Sequence, residues 1–189
     1  RGCMTRQGFT EHVTGIGANV RTLMEHNDID GTATLFATTA TDIYDVTTAG
    51  AVGAAAVSSL TGSGVWSHVM FATAGGNFLV ACNGTDPVQN FDGSTWTQPT
   101  ITASGTSSDN FVQVTAHMTR LWFVEKNTLK VWYLPASAIA GTATAIDFGP
   151  VSRLGGHLVA MASWSRDGGA GMDDLAVFVT SNGEVHVYS

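Results

Sequence analysis

The most polar stretch of the sequence runs Ser165-Arg166-Asp167-Gly168-Gly169-Ala170-Gly171-Met172-Asp173-Asp174 and sets three carboxylates among glycines. Carboxylates on pliant backbone suit Ca²⁺, which takes about six to eight oxygens. The Asp-x-Asp-x-Asp-Gly order of an EF-hand loop is missing, so no metal ligand is assigned. The stretch is expected to be a long solvated hairpin connection. Insertions beyond a shared framework commonly carry contacts. Ser165, Arg166, Asp167, Asp173 and Asp174 are therefore the candidate residues of an interface loop, with the connection from Pro135 to Pro150 beside them.

Other chemistry finds little support in the spacing. The histidines are His12, His26, His68, His117, His157 and His186. No two stand as His-x-x-x-His, the spacing that puts two imidazoles on one helical face for a metal. His68, His117 and His157 recur in or beside β-like runs and are expected to meet backbone partners. No serine lies in a Gly-x-Ser-x-Gly elbow, and no Gly-x-x-x-x-Gly-Lys phosphate loop occurs. Glycoside hydrolysis needs two carboxylates across a cleft. Glu11, Glu25, Glu125 and Glu184 are available, but nothing selects a pair, and Glu125 and Glu184 sit beside turns where they are expected to be solvated. Cys82 follows an apolar run and reads as a small buried side chain rather than a reactive thiol. No catalytic residue and no cofactor are assigned.

The elements that would position such groups are short. Leu35-Phe36-Ala37, Phe78-Leu79-Val80-Ala81, Leu121-Trp122-Phe123-Val124 and Leu175-Ala176-Val177-Phe178-Val179 each lead through a turn to a second apolar run. Asn182-Gly183 is the strongest turn signal, because a type I′ turn wants positive φ at both central residues. The first two intervals between these runs are 43 residues and the third is 54. The surplus falls in two places: Pro135 to Gly141, expected as one short helix, and Asp167 to Asp174. A β-like run precedes each hairpin, and a fourth follows in the first units, at Val52 to Val57 and at Ser94 to Trp96. A repeat of about 40–50 residues in a β-rich chain points to four-stranded propeller blades. The expected fold is all-β and irregularly propeller-like, with about three and a half blades near residues 20–60, 65–100, 111–150 and 154–189. Residues 1–19 are expected as an extended lead-in.

Composition sets the outer limits. Of 189 residues, 8 are Lys or Arg and 15 Asp or Glu, a formal charge of −7; 44% are hydrophobic and 12% charged. Such a chain has the apolar content to build a core and lacks the signature of disorder. The acidic balance argues against gripping nucleic acid by its phosphates. No apolar run reaches the length of a spanning helix. Two cysteines, Cys3 and Cys82, make no disulfide framework. The sequence opens on Arg1 and stops just after a strand-like run, and so is expected to be a piece of something longer.

Several phrases carry a resemblance. They are Arg6-Gln7-Gly8-Phe9 with Glu11-His12-Val13-Thr14-Gly15, Val20-Arg21-Thr22-Leu23-Met24, and Leu35-Phe36-Ala37 with Ile43-Tyr44-Asp45-Val46. Phe71 to Gly76, Phe91-Asp92-Gly93-Ser94-Thr95-Trp96, Arg120 to Val124, Trp132-Tyr133-Leu134-Pro135 and Asp174 to Thr180 with Gly183-Glu184-Val185 complete them. In this order they resemble the tail tubular, or nozzle, proteins of short-tailed bacteriophages. The resemblance runs along nearly the whole chain. It implies an irregular β-propeller in the virion tail, assembled as a ring, usually of six copies, below the portal and adaptor. Phage DNA would pass through without specific binding, and tail fibres or spikes would attach at the side. The family is longer, so these residues would be its N-terminal part.

Three functions stand as expectations. The first is a non-enzymatic tail subunit forming a conduit for genome ejection. The second is a propeller glycosidase. The third is a carbohydrate- or receptor-binding module that stacks sugars on Trp66, Trp96, Trp122, Trp132 or Trp164, for which several of these must be exposed together.

Overall fold

A computed structural model describes residues 8, 10–167 and 172–189. The strands in chain order are β1 (Val13–Thr14), β2 (Thr22–Asn27), β3 (Ala33–Thr38), β4 (Ile43–Asp45), β5 (Gly50–Ala51), β6 (Ser67–Thr73), β7 (Gly76–Cys82), β8 (Gln89–Phe91) and β9 (Trp96–Thr97). They continue with β10 (Ile101–Thr102), β11 (Phe111–His117), β12 (Arg120–Glu125), β13 (Lys130–Tyr133), β14 (Gly141–Thr142), β15 (Thr144–Asp147), β16 (Leu158–Asp167), β17 (Met172–Thr180) and β18 (Val185–Tyr188). The fold is all-β. One 3₁₀ turn, Ser108–Asn110, is the sole helical element among the described residues.

Four antiparallel sheets follow one another in sequence: β2-β3-β4, β6-β7-β8-β9, β11-β12-β13-β15 and β16-β17-β18. Alternation along the second strand of each explains how they stack. In β7, Leu79 and Ala81 enter a core shared with Met24, Phe36 and Ile43 of the first sheet, while Val80 and Cys82 enter a core shared with Leu121 and Phe123 of the third. In β12, Trp122 and Val124 turn the other way, toward Met161, Ala176 and Phe178 of the fourth sheet. A period of two thus feeds two cores from one strand. The second and third sheets are covered on both faces. Each fully buried Leu or Val stabilises the stack by about 1.5–3 kcal/mol.

Polar side chains on the first strands fix each sheet against the next. Thr22 Oγ1 donates to Gly64 O and accepts from Trp66 N–H, both at 3.1 Å. Ser67 Oγ accepts from Val114 N–H at 3.1 Å. Gln113 donates through Nε2 to Met161 O at 2.9 Å and accepts through Oε1 from Met161 N–H at 2.7 Å. These residues stand 45 and 46 positions apart. They satisfy backbone groups that the junctions would otherwise leave unpaired. His26 and His117, 91 positions apart, reach across in the same way, to Asn77 O at 3.0 Å and Ser163 Oγ at 2.9 Å.

Two short parallel ladders form a second repeat. β1 pairs with β5 and β10 with β14. Gly50 N–H donates to His12 O and Val52 N–H to Thr14 O; Gly141 N–H donates to Thr100 O and Ala143 N–H to Thr102 O. Gly50 and Gly141 have φ of 114° and 117°, a region that residues with a Cβ rarely enter. In the first and third sheets alike, the chain leaves the third strand and clasps the segment that led into the unit.

Several sequence expectations need correcting. The first unit holds three strands, not four: Gly50 to Val52 is diverted into the clasp, and the rest of the run to Val57 contributes a single bridge, Ile43 to Val57. Pro135 to Gly141 is a turn and not a helix, because Ser137 sits at φ 56° with its N–H on Thr119 O and the chain then enters β14. The connection from Pro135 to Pro150 supplies β14 and β15. The Asp167 to Asp174 loop is shorter than expected, as pairing continues through Ser165–Asp174, Arg166–Asp173 and Asp167–Met172. At Asn182-Gly183 only the glycine has positive φ, at 82°. Thr180 N–H bonds Glu184 O and Gly183 N–H bonds Thr180 O, a three-residue loop with glycine in the left-handed position.

Candidate functional site

The groups able to do chemistry are dispersed and mostly engaged. Glu125, expected to be solvated, is only 9% exposed and accepts from Trp132 Nε1 at 2.8 Å, because β12 places it on the same face as Phe123, toward the core shared with the second sheet. Glu184 stays near the surface and accepts from the N–H groups of Arg153 and Leu154, which hold its carboxyl below the usual range. Cys82 is buried, and desolvation pushes its thiol well above the ordinary value. Cys3 lies outside the described residues. Burial lowers the pKa of His117, opposed by the charge of Asp174. His68 is exposed on β6. No cluster of three or more His, Cys, Asp or Glu side chains able to hold a metal occurs among the described residues. No helix among them is long and apolar enough to cross a membrane. Trp66, Trp122 and Trp132 are buried, Trp96 is half-buried and Trp164 is exposed. The five tryptophans therefore make no shared platform.

The five candidate interface residues lie at the far end of the β16–β17 hairpin, in strands rather than in a loop. Ser165 is exposed and Asp174 half-exposed. Arg166, Asp167 and Asp173 are placed by backbone register alone, and Gly168 to Gly171 lie outside the described residues.

That hairpin belongs to the fourth sheet, one face of which is uncovered among the described residues. Residues directly opposite one another share a face. The pairs Ala160–Val179, Ala162–Val177, Trp164–Leu175, Val177–Val187 and Val179–Val185 therefore align eight apolar side chains on the side away from Phe178 and the third core. Trp164, Val185 and Val187 are 54%, 57% and 54% exposed. Contiguous exposed apolar surfaces of this kind are uncommon on monomeric proteins. The sequence held a signal for it. The unbroken run from Leu175 to Val179 lacks the alternation of a strand with one wet face, and such runs belong to strands covered on both sides.

The second feature is a cleft of about 480 Å³ at the outer edge of the first junction, lined by Thr34, Phe36, Asp45, Phe91, Ser94 and Trp96 among others. Thr34, Phe36 and Asp45 share one face of the first sheet, since Phe36 opposes Asp45. Phe91 opposes Trp96 on the facing sheet. The floor is aromatic: Phe36 meets Phe91 at 4.8 Å and Trp96 at 5.0 Å, both edge to face. The wall is the β8–β9 hairpin. Its Asp92 accepts from Ser94 and Thr95 N–H at 2.9 and 2.7 Å, and these two bonds keep the Asp92 carboxyl below its usual range. Asp45 is held by Thr47 N–H at 2.9 Å. The cleft lies where the first sheet, among the described residues, has no outer strand beyond β4.

Comparison with protein-family models, with curated proteins and with solved structures finds no match to the chain.

Proposed function

We propose that this chain is part of a non-enzymatic structural subunit of a short-tailed bacteriophage tail, a nozzle-like protein with irregular propeller blades. In this reading the four stacked sheets are successive blades. Copies associate head to tail into a ring, usually of six by the resemblance, that conducts DNA and docks portal, adaptor and fibre or spike proteins. The observation that carries the reading is the uncovered apolar face of the fourth sheet. In every junction within the chain such a face is covered by the next sheet, and heterologous contact of this kind closes rings by rotation. The sequence resemblance supplies the virion setting. An acidic chain suits a conduit, because like charge repels the DNA that passes.

Electron microscopy of the purified protein tests this. Rings of identical subunits are expected, and Val177→Asp with Val187→Asp should reduce them to single subunits with an unchanged circular dichroism spectrum. A wild-type protein that stays monomeric at the highest soluble concentration would sink the ring. Turnover of a host polysaccharide by the same preparation would favour a glycosidase instead.

A further inference from the structure

The cleft between the first and second sheets has a chemistry of its own, independent of any ring. We infer that it is a binding site for a neutral saccharide, seating one or two pyranose rings.

The third sheet diverts its chain into a clasp just as the first does, yet returns to lay down β15 and then Phe148, which packs on Phe178 at 4.7 Å and on His186 at 5.2 Å. That edge is filled. The first sheet returns with the Ile43–Val57 bridge alone. The space that a strand and a phenylalanine occupy in one place stands open in the other, between anchored walls.

A pyranose has an apolar face of C–H groups and a rim of hydroxyls. The cleft offers the half-buried Trp96 as its apolar surface, backed by the buried rings of Phe91 and Phe36, with Thr34, Ser94 and Thr95 hydroxyls and the Asp45 carboxylate around it. Trp96 Nε1 is buried without a partner, so the ring rather than its N–H serves a ligand. Among the described residues no Lys, Arg or His lines the cleft, which disfavours phosphate, sulfate or acidic sugars. The volume falls within the range of roughly 300–1,000 Å³ common to small-molecule sites. Phe36 and Phe91 belong to the core and Ser94 and Thr95 are fixed by Asp92, so little ordering is required on binding.

An extended peptide pairing with the free edge of β4 is the rival occupant. β4 spans Ile43–Asp45, and Ile43 already bonds Val57 and Ala56. Too little edge remains for a strand to add along it.

The test is a titration of the ¹⁵N-labelled protein with methyl glucoside, methyl galactoside and N-acetylglucosamine, followed by NMR. Saturable shifts confined to Ser94, Thr95 and the Trp96 indole are expected with at least one sugar, at a millimolar Kd. Ser94→Arg projects an exposed side chain into the cleft and should weaken binding by about tenfold or more. Asp45→Asn should weaken it by less and serves as the deciding variant if Ser94→Arg fails to fold. No saturable shift with any of the three sugars would overturn the inference. So would shifts that survive both variants, or binding of a Thr/Val hexapeptide in place of sugar. Ring formation plays no part in the readout, so loss of the ring reading leaves this result interpretable.

Discussion

The first and third sheets begin alike and end differently. Both are entered through a clasp with glycine at φ near 115°, and both send a histidine from the first strand onto the following sheet. The third is then closed by β15 and Phe148, whereas the first stops at one bridge. The clasp and the outer strand are thus separable parts: a unit can keep the backbone hydrogen bonds that join it to its lead-in and still leave its outer edge open. What closes an edge is enough chain after the clasp to pair again, together with a large side chain to fill the gap.

The sharpest way to break the comparison is to empty the filled edge. Phe148→Ala removes a buried ring from between the third and fourth sheets and should destabilise the protein by about 3–5 kcal/mol. Val57→Ala, at the open edge, should cost about 1 kcal/mol, since Val57 is half-buried and lacks a strand around it. Chemical denaturation measures both. Equal losses would mean that the edges differ less than their geometry suggests.

A smaller effect tests the shared part. No neighbouring atom lies within 4 Å of a Cβ built on Gly50 or on Gly141, so alanine at either should cost only backbone strain, about 1–2 kcal/mol. The clasps are equivalent if the two losses agree within experimental error. A loss at Gly141 alone would tie the clasp to the completed sheet.

The smallest effect is set by pH. His117, held between β11 and Ser163, has its pKa lowered from 6.5 by burial, with Asp174 opposing. The folded protein then binds this proton less readily than the unfolded chain. The contribution is complete above about pH 6.5 and is lost as pH falls from there toward the folded value. Thermal melts should show a lower Tm at pH 5 than at pH 7.5, and His117→Asn should remove part of that dependence. An identical slope in the variant would show that His117 is not its source.

Much of the stack was legible beforehand. The apolar hairpins recur, twice at 43 residues, because each supplies the second strand of a sheet. The clasps were not legible. A two-residue parallel ladder between segments some 40 positions apart leaves no period, and Gly50 and Gly141 look like any turn glycine in a sequence with 22 glycines. Glu125 misled because its neighbours Lys126 and Asn127 signal a turn, while the bond from Trp132 comes from the strand after it. The cleft was invisible for a related reason: the run to Val57 is apolar enough to be a strand, and only the diversion at Gly50 decides that it is not.

The junction bonds and the two clasps aside, every sheet closes within its own stretch of chain. Such a molecule need not wait for its last residue before it begins to fold. As it emerges from the ribosome, each hairpin set can pair, dock on the set made before it, and present a bare wall to the one still to be synthesised. Assembly then has a direction, from β2 toward β18, and an interruption at any stage leaves the same kind of adhesive leading surface.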